Sequence, residues 1–296
     1  MARTRIHVGA PINRGALTLF PLWTEHPEAD GGYVTGPAAE ADKALTIDEM
    51  EEAAVPQLRA NNHGASPVLL VEGEVLTGGL QTRVLNVSVL LPAMRSLTVP
   101  VACVEAGRWG DRRRSRRGAN HSPPTLRRHK TASVNRAKIH GRRLADQAAV
   151  WASVSDYEQR LAAPSATSSY ADVVDHRTAD VESMTQGLAP LPGQRGVVVG
   201  IGGTVRGVEL FDRAATFADY FDSLLVGSAV EALGAEPAAT PSAGARRFMR
   251  HLAEANWSWG DAVGLGREIT VESDHLTGSG LGWSADRSPV HLAAFA

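Results

Sequence analysis

The stretch from Val71 to Asn86 brings two carboxylates, two adjacent glycines, an amide and a guanidinium together: Glu72, Glu74, Gly78, Gly79, Gln81 and Arg83. With Gly78-Gly79 at the centre of a two-residue primed turn, Thr77 pairs with Leu80 and Glu74 falls opposite Arg83. Side-chain alternation then sends Glu72, Glu74, Gln81 and Arg83 to one face. Paired glycines leave room for a ligand or another backbone to come close. Further along, Cys103 and Glu105 share a face of a later strand that runs straight into Gly107-Arg108-Trp109. Such a set suits a small phosphate-containing ligand. Arginines clamp phosphate oxygens, carboxylates accept from sugar hydroxyls or deprotonate a water, and an indole stacks. The candidate catalytic residues are Glu74 and Glu105. The candidate ligand contacts are Glu72, Gly78, Gly79, Gln81, Arg83, Cys103, Arg108 and Trp109. The plainer reading is a half-exposed, solvated ladder in which Glu74 and Arg83 form a surface pair worth under about 1 kcal/mol.

These residues need a sheet to hold them. From Val55 to Glu105 the chain reads as successive strands, VPQLRANN, SPVLLVEGEVL, LQTRVLNVSVLL and SLTVPVACVE, punctuated by Asn61-Asn62-His63-Gly64, Gly78-Gly79 and Pro92-Ala93. Residues 16–23 and 44–47 supply further strands. Strands of this length in succession predict an antiparallel, sandwich-like N-terminal half. Helices and more short strands follow in the C-terminal half. Val150, Trp151, Val154, Tyr157 and Leu161 fall at helical spacing, and another helix is expected near 170–187. Phe217, Tyr220, Phe221, Leu224, Leu225 and Ser228 give an amphipathic helix over 213–233. Pro241 opens one more, with Phe248 and Leu252 inward and Arg246, Arg247 and Arg250 outward. GQRGVVVGIGGTVRGVELF reads as a hairpin turning at Gly202-Gly203, and residues 268–296 as three short strands. The class is α+β. It is divided into a β-rich part at 1–107, a basic loop at 108–143 and a mixed remainder at 144–296, all in one domain of 1–296.

The 296 residues carry 30 Lys and Arg against 32 Asp and Glu, a net charge of −2 that conceals an asymmetry. Between Arg108 and Arg143 there are 13 bases and one acid, Asp111, so an acidic body carries a basic insert. DRRRSRRG and LRRHK could neutralise nucleic-acid phosphates. No aromatic follows Trp109 within the insert, however, so a stacking platform is missing and nucleic acid ranks low among partners. Two other readings of the insert are a phosphate-reading lid beginning at Arg108-Trp109 and Arg112-Arg113-Arg114, and an arm held against the acidic surface. Gly118, Pro123 and Pro124 argue against a helix before about residue 133.

Several reaction classes drop out. Gly200-Ile-Gly202-Gly203-Thr-Val205 lacks the third glycine of a dinucleotide fingerprint and leads into β structure. No Walker loop and no HExxH occurs, and Ser279 is out of register for G-x-S-x-G. The one cysteine excludes a disulfide framework, and Cys103 reads as a packed thiol. His121, His129 and His140 share no helical spacing, so no metal site is assigned. No apolar run reaches the ~18 residues of a membrane helix, and no secretory leader precedes the strands. The expectation is a cytoplasmic protein; the residues specify neither a cofactor nor an oligomeric state.

The run GASPVLLVEGEVLTGGLQTRVLNVSVLLPAMRSLTVPVACVEAGRW closely resembles the ADP-ribosylglycohydrolase- and rhodanese-phosphatase-associated protein domain family of mostly uncharacterised bacterial proteins. Its members show GEELxGxKQxRVLN followed by VPVxCVExGRW. This chain matches at Gly73, Glu74, Gly79, Gln81, Arg83, Val84, Leu85 and Asn86, then at Cys103, Val104, Glu105, Gly107, Arg108 and Trp109. It departs at Val75, where an acid is usual, and at Leu80, where Lys is usual. Weaker similarity continues through Gln147–Trp151, Ser165–Thr167 and Val208–Phe211, across most of the chain. The family's gene associations imply binding, and with it processing, of an ADP-ribose, NAD-derived or related ribosyl-phosphate compound. That reading leans towards an enzyme, a hydrolase or transferase acting on a ribosyl or phosphoryl bond. The alternative is a nucleotide-binding module without catalysis.

Overall fold

The computed structural model describes residues 5–25, 27–28, 32–52, 54–108, 114–284 and 288–296. Its helices are α1 (Gly36–Ala41), α2 (Pro124–Lys138), α3 (Gln147–Arg160), α4 (Tyr170–His176), α5 (Thr178–Thr185), α6 (Ala214–Leu233) and α7 (Ser242–Glu254), set among three largely antiparallel sheets. Strand Leu17–Thr24 explains the largest sheet. Its side chains are apolar on both faces, so it must be covered twice. Leu17 and Leu19 pack with Phe217, Phe221 and Leu224 of α6, and Phe20 and Leu22 with Phe248 and Leu252 of α7. The sheet runs Ile6–Val8, Leu17–Thr24, Gly196–Ile201, Thr204–Phe211, Pro289–Phe295, Thr277–Gly282, Arg267–Glu272, Asn256–Asp261, with Ile12–Arg14 also on Leu17–Thr24.

The second sheet orders Arg116–His121, Glu74–Thr77, Arg83–Leu85, Arg95–Cys103, Gln57–Asn62 and Leu45–Glu49. A third joins Val89–Leu91, Val68–Leu70 and the parallel Val34–Thr35. Helix α6 is buried on more than one side, as its even apolar composition requires. Phe217, Tyr220 and Leu225 face the large sheet, while Ala229 and Val230 join Val75, Val84 and Ala102 of the second. The α+β class holds. The sandwich-like unit expected within 1–107 does not emerge from the strand pairing: its strands divide among all three sheets, and Leu17–Thr24 pairs with Gly196–Ile201. Alternation tells a strand which faces it buries, but not which distant strand lies beside it.

Local punctuation was the more dependable guide. Gly202 and Gly203 close the predicted two-residue hairpin with φ of 58° and 81°, the primed-turn geometry that favours glycine. Helix α6 starts and stops close to the expected residues and α7 starts beside Pro241, and Phe217, Tyr220, Phe221, Leu224, Leu225, Phe248 and Leu252 are all buried. The helix expected near 170–187 is two, α4 and α5, broken at Arg177. Trp151, placed on the inward face of α3, is 38% exposed.

Two expectations are corrected. Residues 116–138 are not loop: Arg116–His121 pairs with Glu74–Thr77, and α2 begins at Pro124 rather than after 133. Proline lacks an N–H that the first helical position has no use for, so Pro123-Pro124 starts the helix instead of preventing it. The hairpin register is also shifted. Leu76 pairs with Arg83 and Val75 with Val84, so residues 77–82 form a wider loop and Glu74 does not face Arg83.

Candidate functional site

All the polar candidates of the hairpin are buried: Glu72, Glu74, Gln81, Arg83 and Glu105 are each at most 5% exposed. This removes the solvated-ladder reading. Buried charges persist only when paired and hydrogen-bonded, so the partners decide what each residue can do.

Glu72 sits where the chain turns between Val68–Leu70 and Glu74–Thr77. Arg127 reaches its Oε2 through Nη2 at 2.7 Å and Nε at 3.1 Å, while Lys130 Nζ donates to Oε1 at 2.5 Å. Both cations project from α2 one turn apart, the spacing that places residues i and i+3 on one face. Arg127 continues to Glu209 Oε1 at 2.5 Å, and Glu209 Oε2 lies 3.0 Å from His291 Nε2. His291 Nδ1 is 2.8 Å from Ser88 Oγ, which accepts from the Glu72 amide at 3.0 Å, closing a ring of contacts. Lys130 Nζ also donates to the carbonyl of Leu85 at 2.9 Å. Burial pushes the Glu72 carboxyl up, but Arg127 and Lys130 outweigh it and hold it at about 2. Gly73 makes the approach of Arg127 feasible: its φ is 88°, and a Cβ there would stand 2.5 Å from Arg127 Nε. Two cations meet two carboxylates, and every oxygen of Glu72 is used.

Glu74 is likewise occupied. Its Oε1 accepts from the Val71 amide at 2.5 Å and its Oε2 from Arg117, whose guanidinium lies over the Tyr220 ring at 5.5 Å. A carboxylate held this way, charge-paired and buried, anchors the strand Arg116–His121.

Glu105 receives the most hydrogen bonds. Arg108 grips it bidentately, Nε to Oε1 and Nη2 to Oε2, both at 2.8 Å. The Thr82 amide and hydroxyl donate to Oε2 at 2.7 and 2.9 Å, and the Thr167 hydroxyl donates to Oε1 at 2.9 Å. Burial again works against ionisation, yet Arg108, Thr82 and Thr167 hold the carboxyl at about 2. Near neutral pH such a group is a permanent anion and a weak proton acceptor.

Around the 77–82 loop, buried polar atoms are left without hydrogen-bond partners. Arg83 Nη1 donates to Gln81 Oε1 at 2.8 Å and lies 3.6 Å from Cys103 Sγ, and its Nε donates to the Val55 carbonyl at 3.1 Å. Arg83 Nη2 is buried without a hydrogen-bond partner, and no carboxylate among the described residues forms an ion pair with it. Two more buried atoms lack partners, Ser115 Oγ and Glu49 Oε2. Both residues crowd Gly79: a Cβ there would stand 2.5 Å from Ser115 Oγ and from Glu49 Oε1. Arg108, whose side chain is about a third exposed, donates from Nη1 to the Gly79 carbonyl at 2.9 Å and marks the outer edge. Gly78 takes a φ of 94° beside it.

The Cys103 thiol is packed and directed at the Glu105 carbonyl at 2.9 Å; burial pushes its pKa up, away from thiolate chemistry. Trp109, Arg112 and Arg113 lie outside the described residues, and Arg114 pairs with Asp48 at 3.0 Å. His121 is buried and bonded through Nδ1 to Ser223, and His129 lies beside Ser153. Among the described residues no group of three or more His, Cys, Asp or Glu side chains could hold a metal ion, and no helix is long and apolar enough to cross a membrane.

Sequence reasoning missed Arg117, Arg127 and Lys130, which engage the hairpin carboxylates, Glu209 and His291, which extend the Arg127 network, and Glu49 and Ser115, which crowd the loop. Part of the signal was present. A helix opened at Pro124 would have put Arg127 and Lys130 on one face. The segments with weaker family similarity also converge here. Gln147 exchanges hydrogen bonds with the Cys103 backbone at 2.9 and 2.6 Å, Thr167 binds Glu105, and Glu209 binds Arg127. Residues far apart in the chain thus meet around one motif, which is what a single family pattern spanning it would require. No curated protein and no solved structure matches the chain. The family pattern of the ARG and Rhodanese-Phosphatase-superfamily-associated Protein domain matches residues 5–295, and the chain belongs to that family.

Proposed function

We propose that the chain binds a phosphate-bearing ribosyl compound of the ADP-ribose or NAD-derived kind at the 77–83 loop, and that it holds this ligand rather than turning it over. Arg83 carries the argument: a fully buried guanidinium with a free Nη2 and, among the described residues, no carboxylate partner is an unmet demand for an anion. Arg108, at the exposed edge, would meet a phosphate first. Gly78 and Gly79 let the loop pack against the Arg114 carbonyl, Glu49 and Ser115, and Ser115 Oγ and Glu49 Oε2 remain available for ligand hydroxyls. Binding is favoured over processing because the carboxylates that a hydrolase would need are committed elsewhere. Glu74 neutralises Arg117, and Glu105 fixes Arg108 and the loop amide of Thr82. In this reading the two glutamates position arginines and take no part in proton transfer.

The test is calorimetric titration of ADP-ribose, NAD, ribose 5-phosphate and inorganic phosphate, with chromatography of each mixture after incubation. ADP-ribose or NAD should bind, Arg108→Ala should weaken it by about tenfold or more, equivalent to about 1.4 kcal/mol, and the ligand should be recovered intact. Absence of binding by all four compounds would defeat the proposal. Conversion that disappears in Glu105→Gln would replace it with the enzymatic reading.

A further inference from the structure

Helix α3 brings an indole to the hairpin motif and leaves it facing water. Val150, Val154 and Tyr157 are buried in one cluster with Val75, Ala102 and Val104, as their helical spacing requires. Trp151 leaves that cluster and is 38% exposed. Its place is set by Gln147, one turn earlier on the same face of the helix. Gln147 Oε1 accepts from the Cys103 amide at 2.9 Å, and Nε2 donates to the Cys103 carbonyl at 2.6 Å. This face of α3 is thereby pinned to the end of the strand Arg95–Cys103, and the Trp151 indole N–H faces the Cys103 thiol. Tryptophan ordinarily buries its rings and keeps the N–H at the wet end. Here the N–H is turned inward and apolar ring is shown to solvent.

Cys103 joins this indole to the open side of the motif. Its Sγ lies 2.9 Å from the Glu105 carbonyl and 3.6 Å from Arg83 Nη1. The same Glu105 carbonyl accepts from Gln81, while Arg108 grips the Glu105 carboxylate from the outer edge. One side chain thus separates an exposed indole from the guanidinium whose Nη2 lacks a partner. A bare phosphate gains nothing from an indole, whereas every nucleobase has a π-face that stacks on one. Resting on the reading that the 77–83 loop takes a phosphate-bearing ribosyl compound, we infer that the ligand is a nucleotide whose base stacks on Trp151, and that this contact selects nucleotides over base-free sugar phosphates. The base covers the ring that the fold leaves in water, and the phosphates run past Cys103 towards Arg83 and Arg108.

Titration of ADP-ribose, ribose 5-phosphate and inorganic pyrophosphate into wild type, Trp151→Ala and Trp151→Phe tests this. Wild type should bind ADP-ribose about tenfold or more tightly than either base-free probe. Folded Trp151→Ala should lose about tenfold for ADP-ribose and leave the base-free probes unchanged. Trp151→Phe keeps both the packing and a stacking ring, so it should retain most of the affinity. ADP-ribose should quench tryptophan fluorescence in wild type and quench it clearly less in Trp151→Phe, a readout that does not depend on the alanine variant folding. Base-free probes binding wild type as tightly as ADP-ribose, equal weakening of all three compounds by Trp151→Ala, or undiminished quenching in Trp151→Phe would each overturn the inference and leave phosphate binding at the loop standing. Failure of ADP-ribose to bind wild type would instead remove the loop reading, and this inference with it.

Discussion

The surroundings of Glu72 and Glu105 contain the same chemical types, buried carboxylates gripped by arginine, and differ in whether the network closes. Around Glu72 two cations face two carboxylates, His291 and Ser88 complete the ring, and all of these side chains are buried. Around Glu105 the carboxylate is saturated, while the neighbouring Arg83 keeps a free donor and the Gly79 loop keeps free acceptors. A closed network returns the desolvation of its charges as rigidity, and it ties α2 and the large sheet to the hairpin. An open one holds desolvated polar groups in readiness, the usual condition of a binding site before its ligand arrives. Hairpin carboxylates alone therefore do not mark a site; the unmatched partner does.

The largest expected effect breaks the closed side. Glu72→Gln leaves Arg127 and Lys130 facing one remaining carboxylate in a fully buried place, and it should cost about 3 to 5 kcal/mol in urea unfolding. Adding Lys130→Met restores the balance of charge and should recover part of that loss. A single-variant loss below about 1 kcal/mol would show that water reaches the network and that the contrast with Glu105 is false.

Acid comes next, because it acts on both sides together. Glu72 and Glu105 are each held at about 2 against an ordinary 4.5. Their folded-state values are depressed, so the stabilisation is complete above 4.5 and is lost as the pH falls from 4.5 towards 2. The slope is about 1.4 kcal/mol per pH unit for each group. Unfolding measured across that window in Glu72→Gln should show a shallower slope than wild type. An unchanged slope would place the acid sensitivity elsewhere.

Arg108→Ala is milder. It removes the bidentate grip on Glu105, but the Thr82 amide and hydroxyl and the Thr167 hydroxyl continue to satisfy that carboxylate. A loss of about 1 to 3 kcal/mol is expected. A loss as large as that of Glu72→Gln would mean that the open side is as structural as the closed one.

What the sequence disclosed and withheld follows the range of the interactions. The β character of Val55 to Glu105, the faces of α6 and α7 and the Gly202-Gly203 turn depend on neighbours a few residues apart and were legible; the breaks at 71–73 and 86–88, which send Val68–Leu70 and Val89–Leu91 to a different sheet from Glu74–Thr77 and Arg83–Leu85, were not. The shifted hairpin register was not, because the 77–82 loop is shaped by Glu49, Ser115 and Arg108 reaching in from elsewhere. The closed network joins Glu72 to Glu209 and His291 through Arg127, partners that no periodicity connects. The basic insert was visible as charge, yet its role emerged only when α2 carried Arg127 and Lys130 into the acidic interior.

The smallest stability effect tests the comparison most directly. Arg127 and Arg83 are both buried arginines, but Arg127 is bound to Glu72 and Glu209 whereas Arg83, among the described residues, has only neutral acceptors. Replacing Arg83 with Met relieves the burial of an unpaired charge and leaves the Gln81 amide oxygen and the Val55 carbonyl without a donor. These opposing terms are each of order 1 to 3 kcal/mol, so the net change should lie within about 1 kcal/mol of wild type. Arg127→Met orphans two carboxylates and should lose several times more. Calorimetric titration of the Arg83→Met protein with ADP-ribose then separates structure from function. Near-native stability with binding reduced by about tenfold or more identifies Arg83 as a ligand group held in reserve. Destabilisation equal to that of Arg127→Met would show that Arg83 is framework and that the two networks are of one kind.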